Sequence, residues 1–278
     1  MNQKTKILIG LSAAAVALPL WMLAPGKASK RQKAPFLGRN FAHRGLHSRD
    51  KSVPENSLEA FRLAASQNYG VELDVQLSKD GQVVVFHDDD LKRACGQDGR
   101  ICDYTLEDLR AFPLFRSQEH IPLLADVLAV FAGRQPLIVE IKHCPRPKEL
   151  CSAVREMLGA YPGPACVESF DPLIVSDFRR NDPKRLRGQL TQPCAFYRGL
   201  MPAPLGWALS RVLFNVTARP HFIACRLGPK SLSVRLCEGL GAMRVCWTAR
   251  EKERHAERMR ENDAVIFEAY RPGDSRSP

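Results

Sequence analysis

The feature that most constrains the fold is an alternation of short apolar runs with longer amphipathic stretches between residues 40 and 270 of the 278-residue chain. The apolar runs that predict strands are Asn40–Ala42, Val71–Val75, Val83–Phe86, Leu137–Ile141, Cys166–Phe170, Leu186–Leu190, Phe222–Leu227, Val245–Thr248 and Ala264–Phe267. Strands that alternate with helices predict a parallel sheet joined by helical crossovers. Since no repeat or low-complexity tract interrupts the pattern, one continuous domain is expected.

The stretches between those runs have the apolar spacing of amphipathic helices. They are Ser57–Ser66, Leu106–Phe112, Leu123–Phe131, Pro147–Leu158, Pro172–Arg180 and Leu232–Leu240. Thr105 is expected to cap the helix that follows it, because Asp108 stands three residues later. The strand count and the length of the domain predict an α/β fold, a (β/α)8 TIM barrel of about 250 residues.

Nine strand candidates compete for the eight strand positions of such a barrel, so we expect one of the later candidates to be accessory or not a strand. A doubly wound open sheet is the alternative architecture. That fold would place a glycine-rich phosphate loop after the first strand. The stretch His43-Arg-Gly-Leu-His47 is not such a loop, so the barrel is preferred.

Acidic residues end two of the predicted strands. Glu72 and Asp74 lie two residues apart on one strand, and Glu140 ends another. Side chains two apart share a face of a strand, and the strand ends of a barrel meet at one mouth, so we expect these carboxylates to meet. They would repel one another without a cation, and oxygen ligands favour Ca2+ or Mg2+, with Mn2+ as a third choice. The sequence therefore predicts a divalent-cation site.

Basic and titratable residues follow the same strand ends. Arg44 and Lys142 supply positive charge for a phosphate. His43 and His87 both follow apolar strands, and an imidazole pKa of about 6.5 lets one accept a proton and the other donate one near neutrality. Each residue alone is more typical of a structural or surface position. Their joint placement at separate strand ends predicts an active site for phosphodiester cleavage.

Short stretches around these residues resemble the glycerophosphodiester phosphodiesterase family. They are Ala42-His-Arg-Gly45, Pro54-Glu-Asn56, Glu72-Leu-Asp-Val75, Lys79-Asp-Gly81, Val84-Val-Phe-His-Asp88, Glu140-Ile-Lys142, Ser169-Phe170 and Trp247-Thr248. The resemblance spans about residues 40–270 and is most specific in its first half. It implies a (β/α)8 barrel that hydrolyses glycerophosphodiesters to glycerol 3-phosphate and an alcohol.

The resemblance also assigns roles to individual residues. It implies that Glu72, Asp74 and Glu140 bind the metal, and that His43 and His87 form the catalytic acid–base pair.

The remaining matched positions concern the substrate and the first loop. The resemblance implies that Arg44 and Lys142 bind the phosphate and that Trp247 lines the substrate mouth. Glu55 and Asn56 match positions that shape the loop after the first strand. For Trp247, a place in the core is the alternative.

The late part of the chain departs from the family pattern. Sequences of the family often end with a Gly-Ile-Ile-Thr-Asp-like strand and then a proline, whereas this chain has the sequence Ala264-Val-Ile-Phe-Glu-Ala-Tyr270. Trp247-Thr248 is followed by Ala249-Arg250 rather than by Val-Asn. These changes leave the first-half residues intact and put the late loops, and so the alcohol group, in doubt.

The N-terminal segment from Ile7 to Leu23 is almost entirely apolar or small, at the lower limit of about 17 residues for a bilayer span. Trp21 stands where an interfacial aromatic residue belongs. We therefore expect an uncleaved transmembrane anchor at 7–24, with a cleaved signal segment as the alternative. The expected division of the chain is a short basic N-terminus at 1–6, the anchor or signal segment at 7–24, a basic linker at 25–39, the barrel at 40–270 and a tail at 271–278.

The net charge of +11 is concentrated in the N-terminal flank. Residues 1–40 contain seven basic residues and no acid, which leaves +4 for the rest of the chain. A basic flank favours contact with an anionic membrane surface, and no nucleic-acid partner is expected. The excess of basic residues after the apolar segment favours a barrel on the cytoplasmic face of the membrane. The nine cysteines, an odd number, are typical of reduced thiols and favour the same side.

Together these patterns predict a membrane-anchored, metal-dependent phosphodiesterase that acts on glycerophosphodiesters. Two alternatives remain open at this point. A lysophospholipase D would use the anchor to reach membrane lysophospholipids. A non-catalytic barrel would serve as a scaffold or binding module, although such a module has no need of two histidines.

Overall fold

Nine strands carry the fold of residues 17–273, the part of the chain that the computed structural model describes. They are β1 (Arg39–His43), β2 (Gly70–Leu77), β3 (Val83–Val85), β4 (Leu137–Ile141), β5 (Ala165–Ser169), β6 (Arg187–Thr191), β7 (Phe222–Arg226), β8 (Met243–Ala249) and β9 (Ala264–Phe267). Eight are parallel neighbours in the order β1, β2, β4, β5, β6, β7, β8 and β9, and β9 pairs back onto β1. The sheet therefore closes, which confirms the predicted (β/α)8 barrel.

The remaining strand, β3, lies outside the closed ring and pairs with β2 in antiparallel orientation. The turn between them, in which the Gly81 amide donates to Ser78 O at 3.1 Å, is too short for a parallel crossover. The expectation that a later strand would be accessory is therefore wrong, because an apolar run does not reveal its direction. The hairpin brings Phe86, whose amide donates to Asp74 O at 3.0 Å, and then His87 back to the barrel mouth.

Helices connect the strands and cover the outside of the barrel. They are α1 (described part 17–23), α2 (Lys30–Lys33), α3 (Leu58–Ser66), α4 (Lys92–Cys95), α5 (Leu106–Arg110), α6 (Leu124–Phe131), α7 (Pro147–Ala160), α8 (Pro172–Asn181), α9 (Ala203–Ser210), α10 (Asn215–Ala218), α11 (Leu232–Gly239) and α12 (His255–Glu261). Short 3-10 turns occupy Ile101–Asp103, Leu114–Arg116, Cys194–Tyr197 and Lys252–Arg254. Thr105 accepts from the Asp108 amide at 3.3 Å, as expected for the cap of α5.

The two faces of the barrel strands carry different side chains. On β2, Val71, Leu73 and Val75 belong to a buried cluster with Phe61 of α3 and Phe131 of α6. A second buried cluster fills the interior and includes Phe41, Ile138, Cys166, Leu190, Phe222, Ala224 and Ile266. Because side chains alternate along a strand, the residues between the outward-facing valines and leucines of β2 point into the barrel. The acidic residues of β2 therefore face its mouth.

The described end of the N-terminal apolar segment packs against the barrel. α1 ends at Leu23, which is 8% exposed and shares a buried cluster with side chains of β7. Asn215 Nδ2 donates to the Leu23 carbonyl at 3.2 Å, and Arg219 Nη1 donates to the carbonyl of the next residue, Ala24, at 2.8 Å. A Cβ at Gly26 would lie 2.5 Å from Arg219 O, so only glycine fits this approach.

None of the helices within residues 17–273 combines the length and the apolar character that crossing a bilayer requires. The prediction of a single-pass anchor at 7–24, with the membrane localisation and cytoplasmic orientation drawn from it, is therefore wrong. Residues 7–16 of that segment lie outside the described part of the chain. The prediction rested on apolar composition, which does not distinguish a segment buried against protein from one in lipid. Leu23, the last residue of that apolar segment, is buried against the barrel.

Candidate active site

Three buried carboxylates meet at the mouth of the barrel. Glu72 and Asp74 come from β2 and Glu140 from β4, and Asp74 stands opposite Glu140 in the parallel register. One oxygen from each side chain lies within 4.8 Å of the others, and the residues are 2%, 1% and 8% exposed. Asp74 Oδ1 is buried and has no hydrogen-bond partner among the described residues. Carboxylates so close and so buried are stable when a cation shares them, so the donor set fits a divalent cation.

The charge state of Glu72 reflects this crowding. Burial raises the pKa of Glu72 well above its usual range, and the nearby charges of Asp74, Glu140 and Glu168 raise it further. Repulsion between these acids is the same force that a bound cation would relieve.

Asp74 has the opposite tendency because cations and donors surround it. Burial opposes its ionisation, but His87, Lys142 and Arg44 nearby lower the pKa of Asp74 below its usual range. Asn56 Nδ2 also donates to Asp74 Oδ2 at 2.9 Å. Asp74 is therefore held as a carboxylate at the centre of the cluster.

Arg44 is fixed between two acids immediately after β1. Its Nη1 donates to Glu55 Oε1 at 2.7 Å, and its Nε lies 3.4 Å from Asp74 Oδ2. Glu55 also accepts from Lys51 Nζ at 2.5 Å and from Arg93 Nη2 at 2.7 Å. Burial opposes the ionisation of Glu55, but Arg93, Arg44 and Lys51 lower its pKa below the usual range. Glu55 thus ties the guanidinium of Arg44 to the loop.

Lys142 lies beside the same acids. Its Nζ donates to Glu140 Oε1 at 2.9 Å and lies 3.6 Å from Asp74 Oδ1. Burial alone would lower the pKa of Lys142, but Glu140 and Asp74 raise it above its usual value. The ammonium group is therefore charged and adjacent to the carboxylate cluster.

His43, at the end of β1, is oriented by an acid from the far end of the chain. Its Nδ1 lies 2.9 Å from Glu268 Oε2, and its Nε2 lies 3.8 Å from Glu72 Oε2. Since a carboxylate only accepts, Nδ1 carries the proton and Nε2 is left free. Burial lowers the pKa of His43 to about 4. Burial opposes the ionisation of Glu268, but His43 and Arg250 lower its pKa to about 2.

His87 is oriented in the same way by its neighbour in sequence. Its Nδ1 lies 2.7 Å from Asp88 Oδ1. Arg93 Nε donates to Asp88 Oδ2 at 2.6 Å. Burial opposes the ionisation of Asp88, but His87 and Arg93 lower its pKa to about 2. Both imidazoles therefore donate through Nδ1 and keep Nε2 available.

A cavity of about 50 Å³ brings these groups together at the mouth. It is lined by His43, Arg44, Glu72, His87, Glu140, Glu168, Phe170, Leu190, Trp247 and Ile266. The Phe170 and Trp247 rings meet edge to face at 5.6 Å, and Trp247 Nε1 donates to Ala224 O at 2.9 Å. The Arg226 guanidinium lies 5.6 Å from the Trp247 ring and 4.1 Å from that of Phe196.

The sequence analysis missed three residues at this mouth. Glu168 is the last but one residue of β5, as Glu140 is of β4, and the sequence does display this similarity. Glu268 follows β9, where the text departs from the family pattern. Arg226 ends β7, and nothing in its neighbours in sequence distinguishes it. Ten residues proposed from the sequence do lie around this mouth or support it: His43, Arg44, Glu55, Asn56, Glu72, Asp74, His87, Glu140, Lys142 and Trp247.

Comparison with known proteins agrees with this geometry. The model of the glycerophosphoryl diester phosphodiesterase family matches residues 43–268. The Bacillus subtilis protein YhdW, whose name assigns it to the same family, is 35% identical over 162 residues. That match covers 55% of this chain and 65% of the relative, so the chain spans just under two thirds of that protein's length.

Two solved structures share the barrel. The Oleispira antarctica phosphodiesterase, solved in complex with the product sn-glycerol-3-phosphate, has a TM-score of 0.68 at 24% identity, over 83% of this chain and 93% of that chain. The glycerophosphodiester phosphodiesterase of Thermotoga maritima has a TM-score of 0.61 at 28% identity, over 82% of this chain and 93% of that chain.

Proposed function

Because this chain belongs to the glycerophosphoryl diester phosphodiesterase family, we propose that it hydrolyses glycerophosphodiesters to glycerol 3-phosphate and an alcohol. The observation that carries the proposal is the meeting of three buried carboxylates beside two histidines that line one cavity. We assign the activity to the barrel domain at 40–270, with the basic linker at 25–39 and the tail at 271–278 as its flanks.

Glu72, Asp74 and Glu140 would hold one divalent cation, Ca2+ or Mg2+, with Mn2+ as a third choice. A cation bound there supplies positive charge that polarises a phosphoryl oxygen. Arg44 and Lys142, which already pair with the same carboxylates, provide the remaining positive charge for the phosphate.

Glu55 and Asn56 act as supports in this scheme. Glu55 holds the guanidinium of Arg44, and Asn56 holds the carboxylate of Asp74. Fixing both groups before the substrate arrives reduces the reorganisation that binding and reaction require.

The histidines divide the proton transfers. The reaction breaks the P–O bond to the alcohol, and water supplies the oxygen of the new P–O bond, either by direct attack or by opening a cyclic phosphate that a substrate hydroxyl has formed. In each case the attacking water or hydroxyl must lose a proton and the leaving oxygen must gain one. His43 and His87 each present a free Nε2, because Glu268 and Asp88 engage the Nδ1 atoms. One imidazole accepts the proton of the nucleophile and the other protonates the leaving alcohol. Trp247, which lines the same cavity, would contact the substrate.

The geometry of the site favours neither alternative. The lysophospholipase D alternative depended on the N-terminal anchor, which the described residues do not provide. The non-catalytic alternative does not explain why two histidines with acid partners face one cavity.

The test is a substrate panel on the full chain, followed by 31P NMR, with Ca2+, Mg2+ and Mn2+ supplied in turn. The panel contains glycerophosphocholine, glycerophosphoethanolamine, glycerophosphoglycerol and lysophosphatidylcholine. We expect glycerol 3-phosphate from at least one water-soluble diester, and no product in excess chelator. Absence of turnover with every cation would refute the proposed activity, and undiminished turnover in chelator would refute the cation.

A further inference from the structure

A fourth carboxylate, that of Glu168, lies in the barrel mouth outside the scheme above. It is the last but one residue of β5, stands opposite Glu140 of β4 and is 2% exposed. Its Oε2 has no hydrogen-bond partner among residues 17–273, and its side chain lines the same cavity as His43. A buried polar atom without a partner costs free energy, so its presence in a cavity points to a ligand that completes its hydrogen bonding.

The cation is not the obvious partner of Glu168. The carboxylates whose oxygens approach within 4.8 Å of one another are those of Glu72, Asp74 and Glu140, and within the described chain this group does not include Glu168. Along the barrel wall, Glu168 is one strand further from His43 than the cation cluster is. It therefore lies beside Glu140, on the side of the carboxylate cluster that is away from β1.

The neighbours of Glu168 fit an aliphatic group that carries hydroxyls. Phe170 stands two residues later on the same face of the chain, and its ring meets Trp247 at 5.6 Å. Both rings line the cavity. A pocket with aromatic walls and one convergent carboxyl group can pack the carbons of a polyol while it binds a hydroxyl.

We propose that Glu168 is a specificity-determining residue that hydrogen-bonds the terminal hydroxyl of the substrate's glycerol, while Phe170 and Trp247 pack against its carbons. The proposal rests on the proposed function of this site and assigns recognition of the glycerol's terminal hydroxyl to one side chain. A hydroxyl both donates and accepts, so it satisfies the side chain in either ionisation state. A diester without that hydroxyl leaves Glu168 unpaired, and such sites reject the deficient analogue strongly.

The test uses two chromogenic diesters that differ by a single oxygen atom. Glyceryl 4-nitrophenyl phosphate and 2-hydroxypropyl 4-nitrophenyl phosphate share the leaving group and the hydroxyl next to the ester carbon. We expect wild-type kcat/KM to favour the glyceryl ester by about a hundredfold or more. Glu168→Ala should lower kcat/KM for the glyceryl ester by about 10- to 100-fold and change the other ester by less than about threefold.

Two further variants separate specificity from folding and from cation binding. Glu168→Gln keeps the size of the side chain and one hydrogen-bonding oxygen, so it should restore part of the preference for the glyceryl ester. If the alanine variant fails to fold, the glutamine variant is compared with wild type instead. Glu156→Ala, at an exposed position on α7, is the matched control and should behave as wild type. The cation concentration at half-maximal rate should stay unchanged in Glu168→Gln.

Equal losses on both esters, an unchanged preference, or a raised cation requirement would each overturn the assignment of Glu168. If wild type hydrolyses neither ester, the proposed function fails, and calorimetry decides on Glu168 by itself. Wild type should then bind glycerol 3-phosphate more tightly than 2-hydroxypropyl phosphate, and Glu168→Gln should bind the two with more similar affinities. Equal affinities in wild type would overturn the inference.

Discussion

The mouth of the barrel has two halves with different chemistry. The acidic half consists of His43, Glu72, Asp74, His87 and Glu140, from β1, β2, β4 and the loop after β3. The aromatic half consists of Phe170, Leu190, Arg226 and Trp247, from the ends of β5 to β8. Charged pairs at 2.7–3.8 Å hold the first half, whereas ring contacts hold the second.

This difference indicates a division of labour. The acidic half gathers the groups that bind a cation and transfer protons, and the aromatic half offers a wall for substrate carbons. Changes in the acidic half should therefore reduce the rate of the chemical step. Changes in the aromatic half should mainly affect substrate binding.

The largest effect is expected from Asp74→Asn, which removes the central charge of the acidic half. We expect hydrolysis of the best panel substrate to fall by about 10,000-fold, because a cation in such a site contributes several kcal/mol. Initial rates by 31P NMR measure the loss of hydrolysis, and calorimetric titration with Mn2+ measures the loss of cation binding. Asp126→Asn, at an exposed position on α6, is the matched control. Near-normal activity of Asp74→Asn would break the distinction between the halves.

His43→Ala and His87→Ala should each lower kcat by about 1,000-fold, since general acid–base groups contribute about 100- to 10,000-fold. A 4-nitrophenyl leaving group needs no protonation, so it should rescue the variant that lacks the acid and leave the variant that lacks the base impaired. His143→Ala, whose side chain is 77% exposed, is the control. Rescue of both variants or of neither would contradict a division of roles.

The acidic half could be predicted from sequence because its residues stand in short local patterns at the ends of apolar strands. Strand periodicity places Glu72 and Asp74 on one face without any knowledge of the fold. The barrel itself follows from alternation and length, and β4 was predicted with its observed bounds, Leu137–Ile141. The direction of β3 could not be predicted, since it depends on the turn at Gly81.

The residues of the aromatic half, and the acids that were missed, were harder to predict because their roles depend on contacts across the barrel. Glu268 orients His43 from 225 positions away, so no local pattern joins the two. Glu168 becomes notable only when burial and the lack of a hydrogen-bond partner are known. The prediction of an N-terminal anchor was wrong for the same reason, since an apolar sequence does not show which groups Leu23 packs against.

An intermediate effect is expected from Glu268→Ala, which leaves the acidic half intact but frees the His43 ring. We expect kcat to fall by about tenfold, since the loss of a group that orients a functional histidine typically costs about 10- to 100-fold. KM should change little, and Glu268→Gln should recover part of the rate because its amide oxygen still accepts from Nδ1. Steady-state kinetics on the best panel substrate measure both constants. An unchanged kcat would show that His43 needs no such partner.

The smallest effect is expected from Trp247→Leu in the aromatic half. Aromatic contacts contribute about 0.5–1.5 kcal/mol beyond their buried area, which corresponds to about a two- to tenfold rise in KM with kcat nearly unchanged. Trp207→Leu, at a 48% exposed position on α9, is the control. A lower melting temperature with unchanged KM would instead assign Trp247 to the core, and a large fall in kcat would erase the contrast between the halves.

The most direct test of this account is anomalous diffraction from crystals of the full chain grown with Mn2+. We predict one ion at the barrel mouth, with oxygens of Glu72, Asp74 and Glu140 within about 2.6 Å of it. An ion bound elsewhere, or a mouth without any ion at saturating Mn2+, would contradict the claim that these carboxylates form a cation site.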